Sequence, residues 1–166
     1  MLRKTLNFKL SDKNMNTLGF EDDTNIGKRE IAEIQLAEAI NLFLTGKYLC
    51  AITLAGAAEE VLARLVNQYG KQSVVEESFE AINEARKKTT LFIMNGKQKN
   101  EIFNEWNTTR NTLKHNGKTI DELVTINLFD EAYWMIQRGI ANAKKLEIHI
   151  KNQLDFENWI IININL

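Results

Sequence analysis

The sequence predicts an all-α protein, and three observations support this fold class. None of the 166 residues is proline, so no position is forced to break a helix. Apolar residues recur at spacings of three and four through most of the chain, which is the period of an amphipathic helix. Gly and Asn-Gly sequences separate these periodic segments, as is typical of helix ends. We therefore expect an up-and-down bundle of four to five helices.

The periodic segments predict five helices. They cover about 27–44, 47–69, 74–94, 98–115 and 120–146. The first is expected to stop at Gly46 and the second at Gly70, because glycine readily takes the left-handed backbone that ends a helix. The second helix is rich in Ala and Gly, whose small side chains let neighbouring helices approach closely, so we expect it at the centre of the bundle.

Two capping boxes mark predicted helix starts. Ser73 with Glu76 opens the third helix, and Thr119 with Glu122 opens the fifth. Only about three residues separate the fourth helix from the fifth, so these two are expected to form an antiparallel hairpin.

The domain organisation predicted is one helical domain, 26–150, with a flanking segment on each side. Residues 1–25 are polar and aperiodic, which indicates a loose N-terminal arm. Residues 151–166 form a C-terminal tail whose structure the sequence leaves open. The tail ends in NWIIININL, which alternates with the period of a strand, and an edge strand, a partner-binding segment and a frayed end all fit it.

Composition limits the classes of function. The net charge of −1 is unlike that of a strongly basic nucleic-acid-binding domain. Residues 86–118 are nevertheless locally basic, with eight basic residues against two acidic ones, so any nucleic-acid contact is expected there. A solvated lysine-rich face is the alternative explanation of such a cluster.

Location and cofactor use follow from what the sequence lacks. No apolar stretch is long enough for a signal peptide or a membrane span, so we expect a cytoplasmic protein that does not enter a membrane. The single Cys50 excludes an intrachain disulfide, and we place it in the core. His149 stands far from any Cys or paired acid, and no Gly-rich phosphate loop is present, so we expect neither a metal nor a cofactor.

Arg110 is the residue most at odds with its predicted helix. It shares the face of Trp106 and Leu113, where the pattern calls for an apolar residue. A guanidinium is costly to bury unpaired, so it must reach an acid, an anion or a wet cleft. Glu59 or Glu60 of the second helix would be its partner in a purely structural ion pair.

His115 lies five residues after Arg110, in the last turn of the same predicted helix. The dipole at a helix C-terminus favours a protonated imidazole, and a general acid or base needs a group that changes protonation easily. A straight helix sets the two side chains about 140° apart, so they meet only if the helix unwinds early or if two copies pack about a twofold axis. The second possibility predicts a homodimer.

The stretch RNTLKH, 110–115, resembles the signature of the HEPN superfamily, the higher eukaryotes and prokaryotes nucleotide-binding domains. Its members are all-α bundles in which an Arg, usually followed by a polar residue, precedes a His by a short spacer. The segment LAEAINLFLTGKYLCAITLAGAAEEVLARLV, 36–66, looks like the leading helix pair of many bacterial members. The resemblance covers about 27–146 and implies a HEPN-like bundle.

The resemblance also implies a chemistry, metal-independent cleavage of RNA by an endoribonuclease. His115 would act as the general base or acid toward the ribose 2′-OH, Arg110 would clamp the phosphate, and Asn111 would orient one of them or the RNA. Lys114 and Lys118 would hold the RNA backbone. The site would be composite, built by a homodimer, and DNA would not be cut because it lacks the 2′-OH.

The resemblance leaves two functions open. The first is a ribonuclease that serves as a toxin or as a defence or stress protein, with an antitoxin or a nucleotidyltransferase as its partner. Gly117 departs from the toxins paired with nucleotidyltransferases, which often carry Tyr at that position. The second is a non-catalytic module that binds a nucleotide or a protein, as many superfamily members do.

Overall fold

The computed structural model describes residues 24–88, 96–115 and 123–164, and every regular element in these ranges is a helix. The helices are α1 (Lys28–Leu44), α2 (Tyr48–Gln68), α3 (Val74–Lys88), α4 (Lys99–Trp106), α5 (Thr108–Lys114), α6 (Leu128–Lys145) and α7 (Gln153–Asn163). The prediction of an all-α protein is confirmed. In these same ranges no helix combines the length and the apolar composition needed to cross a bilayer.

The first two helices form a hairpin whose bounds the sequence predicted closely. Gly46 closes α1 with φ of 74°, and the backbone N–H of Lys47 donates to the carbonyl of Leu42 at 2.8 Å. Gly70 closes α2 in the same way, with φ of 70°. Both predicted glycine stops are confirmed, because each glycine takes the left-handed conformation that terminates a helix.

The core lies between α1, α2 and α6, with α2 at its centre. The alanines Ala51, Ala55 and Ala58 are fully buried along α2, and their small side chains allow the close packing that the sequence predicted. Cys50 is exposed, so its predicted place in the core is wrong. It lies in the first turn of α2, where the helix turns Ala51 and Ile52 inward and Cys50 outward.

The C-terminal tail forms a helix, not an extended segment. Phe156 and Ile160 of α7 are buried, and Trp159 packs between them on the same side. The ring of Phe43 in α1 contacts both aromatic side chains edge-on, with centroids 5.2 Å from each. Phe156, Trp159 and Ile160 are spaced by three and four residues, so a helix places all of them on one side, where their apolar area is buried. A strand would turn them to opposite faces, and this difference favours a helix up to Asn163.

The predicted fourth helix is two helices, α4 and α5, that meet at Asn107. Asn107 leaves helical geometry, with φ of −110° and ψ of 4°. The hydroxyl of Thr108 donates to the carbonyl of Asn104 at 2.7 Å, a side-chain bond of the kind that often bends helices. The break lets α5 follow its own direction and pack on α2.

The predicted fifth helix begins later than expected, at Leu128. The side chain of Asn127 accepts from the backbone N–H of Asp130 at 3.2 Å and so caps α6. Leu123, which the periodicity placed inward, is 98% exposed. The short hairpin predicted between the fourth and fifth helices is therefore wrong, since a longer connection separates α5 from α6 and α5 packs on α2.

The start of α3 agrees with its predicted capping box. The carboxylate of Glu76 accepts from the backbone N–H and from the hydroxyl of Ser73, both at 3.1 Å. Several other predicted features lie outside the described residues: nearly all of the arm 1–25, the end of the predicted third helix at 89–94, Gly117, Lys118, and the second capping box of Thr119 and Glu122.

Candidate functional site

Arg110 lies in the contact between α5 and α2, with 12% of its side chain exposed. Its aliphatic stem lies directly over Gly56, where a β-carbon would come within 2.6 Å of the Arg110 Cδ atom. The absence of a side chain at Gly56 therefore makes the space that the stem occupies. The GAAEE sequence of α2 thus supplies both a cavity for the arginine and, one turn later, acids for its head group.

Two carboxylates of α2 face the Arg110 guanidinium. Its Nη1 atom lies 3.5 Å from Oε2 of Glu59 and 3.7 Å from Oε2 of Glu60. The Glu59 side chain is only 4% exposed, whereas that of Glu60 reaches solvent. Both partners named from the sequence as structural alternatives are therefore in place.

Burial dominates the electrostatics of Glu59. Burial raises the pKa of its carboxyl above the ordinary value, and the nearby guanidiniums of Arg138 and Arg110 offset that rise only in part. For Glu60, burial acts to raise the pKa, but Arg110 and Lys114 outweigh it and the pKa is lowered. Of the two glutamates, Glu60 is therefore the one whose surroundings favour the ionised carboxylate.

Asn111 and His115 occupy the outward side of α5. Both are exposed, and His115 is the first residue after the helix, with extended backbone at φ of −123° and ψ of 128°. Its backbone N–H still donates to the carbonyl of Asn111 at 3.1 Å, which keeps the two residues one turn apart. Their side chains make no hydrogen bond to any other described residue, so both are available to a ligand.

Arg110 and Asn111 are neighbours in the sequence, but their side chains do not meet. The side chain of Arg110 points into α2, and that of Asn111 points into solvent. No hydrogen bond joins Arg110 to His115 among the described residues, and the ion pairs of Arg110 are those with Glu59 and Glu60. Lys114 lies near the acids instead, with its Nζ atom 3.4 Å from Oε2 of Glu60. The predicted RNA-binding residue Lys118 lies in the stretch that is not described.

A shallow groove of about 430 Å³ opens beside these residues, between the start of α1, the outer face of α2 and the end of α5. Lys28, Arg64 and Lys114 line it, with Glu60 as its acid. Arg64 lies 2.8 Å from Glu60, so a single carboxylate serves several cations. The groove therefore keeps an excess of positive charge.

Arg138 is a member of this charge cluster that sequence reasoning missed. It comes from α6, is largely buried, and burial lowers the pKa of its guanidinium while Glu59 counteracts that effect. A signal was present in the sequence. Arg138 stands three residues after Met135 and four before Asn142, both of which are buried, so it shares the inward stripe of α6.

Metal chemistry has no evident site in the described ranges, where no three His, Cys, Asp or Glu side chains cluster in a way that could hold an ion. Neither a protein-family model, nor a curated protein, nor a solved structure matches the chain. The likeness to the HEPN superfamily accordingly rests on the residues of 36–66 and 110–115.

Proposed function

We propose that the chain is a HEPN-like helical module that binds RNA through its phosphates and does not cut it. The observation that supports binding without cleavage is the engagement of the Arg110 guanidinium by Glu59 and Glu60. The carboxylates and the packing over Gly56 hold the guanidinium against α2, with 12% of the side chain exposed, so it is poorly placed to stabilise the charge that grows on a phosphoryl group in a transition state. On this proposal Arg110 holds α5 against α2.

The groove of Lys28, Arg64 and Lys114 supports the choice of ligand. Glu60 is shared by Arg64, Lys114 and Arg110, so its single negative charge cannot neutralise them all. Cations that keep part of their charge attract phosphates and release the counterions condensed on a nucleic acid. Asn111 and His115 are exposed in the same segment as Lys114 and add hydrogen-bonding groups that an RNA could reach.

A composite endoribonuclease is the second candidate, supported by the exposure of Asn111 and His115 one turn apart. An imidazole open to solvent can reach the 2′-OH of an RNA, and a second copy could bring a cation to the phosphate. If this candidate is right, the protein is a homodimer, and its partner is an antitoxin or a nucleotidyltransferase. It requires the guanidinium of Arg110 to leave its carboxylates or another cation to replace it.

Binding and cutting are tested together on a fluorescently labelled single-stranded RNA in EDTA. Anisotropy reports binding over a salt series, and a denaturing gel of the same samples reports cleavage. We expect salt-sensitive binding of intact RNA, weakened by Lys114→Gln and by Arg64→Gln, each of which should lower the salt dependence by about one counterion. Lys151→Gln, a change at an exposed lysine that does not line the groove, is the charge-matched control.

His115→Ala separates the two candidates. If the protein binds RNA without cutting it, His115→Ala leaves the RNA intact as before and weakens binding at most modestly. RNA cleaved by the unmodified protein and spared by His115→Ala would establish the ribonuclease and overturn the binding-only proposal. If the protein shows neither salt-sensitive binding nor cleavage of the RNA, both candidate functions are wrong.

A further inference from the structure

A second groove, of about 570 Å³, lies on another part of the surface, between α3, α4 and α6. Its size is within the range of sites that bind small molecules. Its lining includes Val74, Val75, Trp106, Trp134, Met135 and Arg138. None of these residues belongs to the groove assigned to RNA, so the inference below does not depend on the proposed function.

Two indole rings give this groove an aromatic character. Trp106 is held in place by the ring of Phe103, which stacks on it with centroids 6.1 Å apart and planes 20° from parallel. Trp134 contacts Tyr133 edge-on at 5.0 Å, yet 62% of Trp134 remains exposed. A large aromatic residue exposed at the rim of a preformed groove is typical of binding sites, because it offers apolar area at little entropic cost.

Arg138 supplies the polar group of the groove. No carboxylate oxygen of the described residues lies within 4 Å of its nitrogens, whereas Arg110 has two such neighbours. Its Nη2 atom donates to neutral acceptors only, the side-chain oxygen of Asn107 and the sulfur of Met135. Its Nε atom is buried without a hydrogen-bond partner in the part of the chain that is described.

Three acids stand near Arg138, and none forms an ion pair with it. Glu59 attracts it most strongly, but from beyond 4 Å, and this carboxylate already faces Arg110. Glu105 lines the groove but forms its ion pair with Lys97. Glu131 also lines it and attracts Arg138 only from beyond ion-pair distance. A largely buried guanidinium with unused donors is costly unless an anion reaches it, and the groove gives such an anion a way in from solvent.

We propose that this groove binds a small planar aromatic anion. The ring lies against Trp134 and Trp106, and a carboxylate or phosphate group accepts hydrogen bonds from Arg138. The flat, forked guanidinium suits either anionic group, because each presents two oxygens in a plane. An aromatic carboxylic acid and a nucleoside monophosphate share this chemistry, and titration distinguishes them.

The test is isothermal titration calorimetry of the full chain with naphthoate and with adenosine monophosphate, each beside its neutral counterpart, naphthamide and adenosine. We expect saturable binding of at least one anion, weaker for its neutral counterpart by roughly tenfold to a hundredfold, as for loss of a charge-assisted hydrogen bond. Binding of naphthoate alone identifies carboxylic acids as the class, and binding of adenosine monophosphate alone identifies nucleotides. Saturation by neither anion, or equal affinity for the neutral counterparts, would overturn the proposal.

Two variants locate the binding in the groove. Arg138→Gln should weaken binding of the anion by roughly tenfold or more and leave binding of the neutral counterpart unchanged. Because Arg138 is largely buried, Trp134→Ala gives an independent test at an exposed position that the fold does not need, and it should weaken both ligands. Lys151→Gln should change neither.

Sedimentation of the unmodified chain and of Trp134→Ala identifies a competing occupant. We expect the same oligomeric state for both. A change from a dimer to a monomer in Trp134→Ala, with no anion binding to the unmodified chain, would mean that a second copy covers this groove and would overturn the proposal of a small-molecule site.

Discussion

At the scale of single residues, Arg110 shows how far the sequence could predict the site. Its place on an apolar face predicted that it must reach an acid, an anion or a wet cleft, and Glu59 or Glu60 was named as a possible partner because α2 was expected to be the central helix. The sequence could not predict that both acids reach it, because this depends on the packing of α5 on Gly56. The exposure of His115 depends equally on where α5 unwinds.

Gly56→Ala tests the packing of Arg110 on α2. In an ordinary helix interior this change stabilises by about 1 kcal/mol. Here the new β-carbon would lie 2.6 Å from Cδ of Arg110, so the arginine stem must shift and strain its contacts with the carboxylates, and we expect a net loss of about 1–3 kcal/mol in urea unfolding. In an Arg110→Ala background the same change should be neutral or stabilising. Equal effects in the two backgrounds would contradict the packing described.

At the scale of helices, the sequence predicted best where a periodic segment ends at a glycine, as α1 and α2 do at Gly46 and Gly70. It predicted less well where the periodicity continues past a helix end. Leu123 keeps the apolar spacing of α6, but the cap at Asn127 starts the helix after it. The tail misled for the opposite reason, since the alternation of Ile and Asn concealed the helical spacing of its aromatic residues.

A buried amide of α6 binds the start of α3. The backbone N–H of Val74, which has no partner within its own helix, donates to the side-chain oxygen of the fully buried Asn142 at 3.0 Å. Asn142→Ala leaves this donor unpaired, so we expect a loss of about 1–3 kcal/mol in the free energy of unfolding. Asn158→Ala, at an exposed position of α7, is the matched control and should change stability little. An equally small effect at both positions would mean that water replaces the amide.

At the scale of the whole molecule, the acids divide into two groups with opposite pH dependence. Hydrogen bonds from Gln153 and Lys144 lower the pKa of Glu157, and Arg110 and Lys114 outweigh burial to lower that of Glu60. Such groups stabilise the fold above the ordinary pKa of 4.5, and their contribution is lost as the pH falls through the lowered value. Glu59 has a raised pKa, so its contribution is present below 4.5 and is lost as the pH rises.

Glu76→Gln tests the first group at the start of α3. Burial acts to raise the pKa of Glu76, but the backbone N–H and hydroxyl of Ser73 outweigh it and the pKa is lowered. The unmodified chain should therefore lose stability as the pH falls below about 4.5, and Glu76→Gln should lose less over the same range. Urea midpoints measured at several acidic pH values check this, with Glu33→Gln as the control. Parallel curves for Glu76→Gln and the unmodified chain would exclude the capping carboxylate as a source of the acid sensitivity.

The central position of α2 has a consequence for how the chain folds as it is made. The α1–α2 hairpin is synthesised before α6, the third helix of the core, which follows only after α3, α4 and α5. Leu36 of α1 meets Gly139 of α6, across more than half of the sequence. Until α6 has left the ribosome, the hairpin must carry its apolar face uncovered, so the growing chain is exposed to aggregation while α3 to α6 are being made.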